Sequence, residues 1–136
     1  MKRYIFILIG LFILGPAMFA QPLVGLGKTD IIAYMRQNEP DFALDNAMVN
    51  KKFNYLKYYD KINEETILCF LSVNDVCNLV RRMSDYSNLE LTVNKLNREY
   101  KEIEKDKWLY SLHNEEFIVE MKREKWYFTL ETRRKK

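Results

Sequence analysis

The chain has 136 residues with 48% hydrophobic and 14% aromatic positions, 22 Lys and Arg against 19 Asp and Glu, a net charge of +3, one His and two Cys. That is enough for one domain and too little for two ordinary ones, too hydrophobic for a disordered chain, and too poor in Cys and His for a disulfide scaffold or a zinc-rich module. A basic stretch could meet nucleic acid, lipid head groups or acidic polysaccharide, and in a chain with an export leader nucleic acid is the weakest of these.

In chain order, the first element is a leader. Lys2 and Arg3 precede an apolar run from Tyr4 to Leu14, followed by Gly15, Pro16 and small residues up to Ala20. These are the basic, hydrophobic and cleavage regions of a secretory signal peptide. The run is shorter than the roughly 20 apolar residues of a spanning helix. Residues 1–20 are therefore expected to be a signal peptide cut near Ala20, with Ala17 as the second choice and an uncleaved anchor as the alternative, so that the protein is exported to a periplasm or the medium without a stable membrane span. Loss of Lys2 and Arg3 leaves 20 basic and 19 acidic residues. The surplus is then local to Arg133, Arg134, Lys135 and Lys136, expected to be a solvated tail.

Residues 21–28 contain Gly25-Leu26-Gly27-Lys28-Thr29, the second half of a phosphate-binding loop. The motif requires a first glycine at position 22, which is Pro22, and a preceding strand, which the leader replaces. No nucleotide is expected, and 21–28 reads as a flexible tether. A helix is expected over 28–38, with Thr29 as N-cap and Ile31, Ile32 and Met35 on one side. Glu39-Pro40 ends it, and the Asn- and Asp-rich stretch 41–52 reads as loop. Strands follow at 53–60, 66–72 and 76–83, the last two joined by a tight turn near Val73-Asn74-Asp75.

A second helix starts at the capping box Ser87-Asn88-Leu89-Glu90 and carries Leu89, Val93, Leu96 and Tyr100 along one face. Three further strand-like runs lie at 107–113, 116–122 and 126–133. The expected class is α+β: an antiparallel sheet with two short helices on one face, and 29–136 as a single domain.

Both halves, 29–84 and 87–134, read as a helix followed by three strands. A shift of 51 positions superposes Glu64, Glu65, Ile67, Leu79 and Arg82 on Glu115, Glu116, Ile118, Leu130 and Arg133. Hairpins share composition for physical reasons alone, so duplication and coincidence both remain open. The alignment directs Leu68, Phe70, Cys77 and Leu79, with Val119, Met121, Phe128 and Leu130, at the helices. It leaves Ile67, Cys69, Leu71, Ile118 and Trp126 on the other face, which is uncomfortably apolar unless that face is covered or one hairpin is a residue out of register.

No catalytic signature emerges. Cys69 and Cys77 fall on opposite sides under a two-residue turn, and are diagonal neighbours under a three-residue one, so two free packed thiols are expected. His113 stands alone beside Asn114 and Glu115, short of a metal set. The acids Glu64-Glu65, Glu102, Glu104 and Glu115-Glu116 flank strands, where solvated hairpin ends account for them better than a glycosidase pair. No cofactor is implied. Tyr and Trp residues exceed what two short helices can cover, so Tyr55, Tyr59, Trp126 and Tyr127 are the candidate binding surface, suited to a protein partner or a carbohydrate.

The leader followed by a capped helix and short aromatic strands resembles small exported bacterial proteins. The helix-then-hairpin layout is similar to envelope domains of the β-lactamase-inhibitor-like and PepSY-like kind, without a shared residue motif, so no site residue carries over. The resemblance implies a non-catalytic binding, inhibitory or accessory protein of the bacterial envelope. The alternatives are a small secreted hydrolase using carboxylates or a thiol, and a structural or oligomeric envelope protein.

Overall fold

A computed structural model describes residues 23–45 and 54–136. The leader, Gln21, Pro22 and residues 46–53, Phe53 among them, lie outside the described residues. The elements run α1 (Lys28–Asn38), β1 (Ala43–Leu44), β2 (Tyr55–Asp60), β3 (Glu65–Leu71), β4 (Cys77–Asp85), a single 3-10 turn (Tyr86–Asn88), α2 (Leu89–Glu99), β5 (Lys101–Glu104), β6 (Lys107–Leu112), β7 (Glu115–Arg123) and β8 (Tyr127–Arg134). All eight strands form one antiparallel sheet in the order β1-β2-β3-β4-β8-β7-β6-β5. The class is thus mixed α+β with the sheet dominant. No described helix is long and apolar enough to cross a membrane.

Each half is a helix followed by four strands rather than the three expected. The additions are β1, only two residues within a stretch read as loop, and β5, whose Lys101-Glu102-Ile103-Glu104 are all exposed. Charged residues on an edge strand discourage pairing with another chain, and for the same reason hide the strand from a hydrophobic-pattern reading.

Cross-strand partners share a side of a sheet, so the pairings define two sets of side chains. Leu56, Cys69, Val80, Thr132, Val119 and Trp108 are successive partners across six strands. Tyr58, Ile67, Arg82, Leu130 and Met121 form the next row on the same side. Ile31 and Met35 of α1 pack with Leu56, Tyr58, Ile67, Cys69 and Leu71. Leu96 of α2 packs with Trp108, Val119, Met121, Phe128 and Leu130, flanked by the expected stripe residues Leu89, Val93 and Tyr100.

The first hairpin therefore faces the opposite way from the expectation. Ile67, Cys69 and Leu71 point into the core, and Leu68, Phe70 and Leu79 point away from it. The shift of 51 does preserve pairing, since Ile67 opposes Arg82 as Ile118 opposes Arg133. But it superposes residues on opposite sides of the sheet, because the β4–β8 pairing sets the two hairpins out of phase with each other. Ile67 sits in the row of Leu130, whereas Ile118 sits with Leu109 on the other side. The five identities reflect hairpin composition rather than equivalent positions.

Both expected caps are replaced. Gly27, extended at φ −73° and ψ 160°, precedes α1 and no side chain caps it; Thr29 lies inside the helix. Before α2, Ser87 is drawn into the 3-10 turn, so it cannot adopt the extended conformation an N-cap needs. Asp85, extended at φ −64° and ψ 149°, caps the turn instead, its Oδ1 accepting the Ser87 N–H at 2.9 Å.

Residues 23–28 are docked rather than loose. Leu23 and Val24 are buried. The Gly25 N–H donates to the Cys77 carbonyl at 2.7 Å, the Cys77 N–H to Leu26 O at 2.9 Å, and the Lys28 N–H to Asp75 O at 2.9 Å. Gly25 has φ +92°, a backbone conformation that calls for glycine.

Candidate functional site

The expected aromatic surface is divided in the structure. Tyr59 of β2, Trp126 in the β7–β8 turn and Tyr127 at the start of β8 come to one end of the sheet's outer side, where Thr66 is common to the two shallow recesses they line. Trp126 is 74% exposed, and Lys125 Nζ lies 4.9 Å from its ring centroid. Tyr55 is four residues back along β2, about 13 Å at the usual rise per residue. It stacks on Phe70 at 6.3 Å, and the Arg81 guanidinium covers the same Phe70 ring at 5.4 Å.

Between these aromatics the outer side is a belt of ion pairs: Arg81 to Glu131 at 2.8 Å, Lys122 to Glu131 at 3.5 Å, and Arg133 to Glu120 at 3.3 Å. Their stems help to bury Ile118 and Thr129 without a covering helix. The apparent basic tail is also engaged in ion pairs. Arg133 and Arg134 are strand residues; Arg134 pairs with Glu115 at 3.3 Å and Lys135 with Glu116 at 3.2 Å. Those two acids, with Glu65 on Arg82 at 2.7 Å, are partners of cations rather than free hairpin-end carboxylates.

A partly enclosed site is lined by side chains of both helices and the sheet, and no sequence signal marked it. A cavity of about 110 Å³ is floored by Ile67, Val80, Leu130, Thr132 and Val119, and walled by Tyr34 and Met35 of α1 and by Leu96 and Tyr100 at the end of α2. Tyr110 of β6, Glu39 and Arg82 complete it. Each wall residue is placed by its element. Tyr34 sits one turn before the end of α1, and Tyr100 ends α2, extended at φ −122° with its N–H on Leu96 O at 2.9 Å. The Tyr100 and Tyr110 rings are 4.6 Å apart at a 38° tilt, and Tyr110 leans on Phe117 at 5.9 Å.

Burial pushes all three phenols above their ordinary pKa, with Glu39 adding to the shift at Tyr34, and Tyr34 and Glu99 adding to it at Tyr100 and Tyr110. They stay protonated, so each brings a neutral hydroxyl and an aromatic ring to the lining. Glu39 closes α1 as its C-cap residue, its N–H on Met35 O at 2.9 Å. Partial burial pushes its carboxyl upward; Arg82 opposes this, while Glu65, Asp41 and Asp60 reinforce it. Arg82 is itself engaged, with Nε and Nη2 both 2.7 Å from Glu65 Oε2 and the guanidinium 5.5 Å from the Phe42 ring. The arrangement suits binding: ring faces, an apolar floor and one carboxylate, with no thiol or imidazole in the lining.

The cysteines share the core side as diagonal neighbours, the placement expected for the longer turn and not the opposite placement expected for a two-residue one. The β3–β4 connection is longer than a tight turn: Ser72 N–H donates to Val76 O at 2.8 Å, Asp75 has φ +58°, and an irregularity pairs Leu71 with Cys77 while Phe70 pairs with Leu79, leaving Asn78 extra. The bulge turns Cys77 to the side of Cys69. Both are free and buried. Cys77 Sγ donates to Leu79 O at 3.5 Å, and the Cys69 thiol, hydrogen-bonded to the Cys77 thiol and buried, is held well above the ordinary thiol range. That keeps it from acting as a nucleophile.

His113 and Asn114, at φ +49° and +64°, are the two central residues of the tight β6–β7 turn, whose geometry demands positive φ at both. Among the described residues no three His, Cys, Asp or Glu side chains are placed to hold a metal ion. Compared with known proteins, the chain matches no protein family, no curated relative and no solved structure.

Proposed function

We propose that this chain is an exported, non-catalytic binding or accessory protein of bacterial-envelope type, and that it holds a small organic ligand in the cleft between α1 and α2. Export rests on the leader of residues 1–20. Binding rests on one observation: the cavity combines an apolar floor with a few convergent polar groups, the usual make-up of a small-molecule site. Cys69, Val80, Thr132, Val119 and Trp108 stand in a single cross-strand row. We take both helices to cover that one side, which makes the gap between them a cleft rather than two separate surfaces.

Saturation-transfer NMR of a fragment library against the mature protein tests this reading. Binders should perturb the Tyr34, Tyr100 and Tyr110 ring signals and be displaced in Val80→Phe, which fills the floor. A library with no such binder, or binding indifferent to the filled cleft, refutes it.

The outer side supports a second reading, capture of a protein or carbohydrate, on the exposure of Trp126 with Tyr59 and Tyr127 nearby. It predicts that Trp126→Ser with Tyr127→Ser abolishes capture of a partner while the fold is retained. A partner bound equally well by the double variant would remove it.

A further inference from the structure

We infer that the ligand class of this cleft is a small organic ammonium cation, held by the faces of Tyr34, Tyr100 and Tyr110 and by the Glu39 carboxylate. The inference rests on the cleft being the ligand site and adds the chemistry of its occupant. Three tyrosines from three different elements converge there, two of them with ring centroids 4.6 Å apart. Ring faces carry negative potential and attract cations, and clusters of aromatic rings are the usual receptors for ammonium groups.

Charge complementarity points the same way. Arg82 contributes the one positive charge of the lining, and Glu65 already neutralises it at 2.7 Å. Glu39 lies in the lining with no ion pair within 4 Å among the described residues, and the charged groups acting on it besides Arg82 are the acids Glu65, Asp41 and Asp60. A half-buried carboxylate in such surroundings is short of a counter-charge, and a ligand cation supplies it. Size agrees: an engineered cavity of about 150 Å³ accepts benzene, so one of about 110 Å³ takes a trimethylammonium head or an alkylamine end rather than a sugar ring or a peptide.

The test compares choline with dimethylbutanol, which carries carbon in place of the ammonium nitrogen, by isothermal titration against the mature protein. Choline should bind at least about tenfold more tightly. Glu39→Gln, isosteric and only half-buried, should cut that preference severalfold with unchanged circular dichroism. Tyr110→Leu should weaken choline more than dimethylbutanol. Choline affinity should also fall as pH drops through the Glu39 titration, because the protonated carboxyl no longer supplies charge, and Glu39→Gln should flatten that profile. Equal binding of the two probes, or a preference that survives Glu39→Gln and Tyr110→Leu, overturns the cation inference and leaves the cleft reading standing. Absence of binding by either probe, together with a fragment screen that finds no cleft binder, overturns both.

Discussion

Ile67 and Leu68 are adjacent and lose the same three carbons on truncation to alanine, so the pair measures which side of the sheet faces the core. Ile67 is 4% exposed and packs with Ile31 and Met35 beneath α1, whereas Leu68 is only partly buried on the outer side. At about 0.8 kcal/mol per buried methylene, Ile67→Ala forfeits about 2.4 kcal/mol of transfer energy, and the unfilled space brings the cost to about 3–4 kcal/mol. Leu68→Ala removes surface already partly in water and should cost about 1 kcal/mol. Urea unfolding followed by circular dichroism reads both, as midpoint shifts at unchanged slope. Against a total stability of about 5–15 kcal/mol the difference is large. If Leu68→Ala costs as much as Ile67→Ala, the first hairpin faces the other way and the cleft floor described here is wrong.

Asp60 is buried at the β2–β3 turn, accepting the Asn63 side-chain amide at 2.7 Å and the N–H groups of Ile62 and Asn63 at 2.9 and 3.2 Å. The Asn63 amide is the main cause holding its carboxyl below the ordinary range. A depressed folded pKa means that the stabilisation is complete above the unfolded value, about 3.9, and is lost as pH falls through the folded one. Asp60→Ala should cost about 2 kcal/mol at neutral pH, and stability titrations should show a smaller acid loss in the variant; an unchanged acid limb would refute this. Trp108 Nε1 donates to Asn97 Oδ1 at 2.9 Å, tying α2 to β6. A double-mutant cycle with Trp108→Phe and Asn97→Ala should give a coupling of about 1 kcal/mol, and additive effects would mean that the bond contributes nothing. Cys69 and Cys77 are 0% and 1% exposed, so a thiol reagent should label neither in the native protein and both in denaturant; rapid native labelling would contradict their packing.

Much of the local structure is legible in the residues. The apolar stripe Leu89, Val93, Leu96 and Tyr100 is the face of α2 that packs, and Ile31 with Met35 is the buried face of α1. Strands rich in aromatic and β-branched residues fall within a residue or two of their observed bounds, because side-chain shape against a pleated surface acts locally. Ser87 and Thr29 have the chemistry of caps, but α1 starts after Gly27, and the 3-10 turn capped by Asp85 places Asn88 before α2. The edge strand Lys101-Glu102-Ile103-Glu104 carries charges where a pattern reading looks for apolar residues. Of the candidate site, Tyr100 and Tyr110 were visible as a helix-face and a strand aromatic, but nothing local joins them to Tyr34 and Glu39, which lie 61 or more positions earlier in the chain.

The sequence by itself marked the two helices and six of the eight strands, since these follow from runs of neighbouring residues. Which side of each strand faces the core was decided only by the tertiary structure. A single extra residue, Asn78 at the β4 bulge, turns Cys77 toward Cys69. The β4–β8 pairing sets the phase of one hairpin against the other. Side-chain alternation has a period of two, so one residue of register reverses a whole strand. No local propensity encodes that choice, because it is made when strands distant in the chain pair.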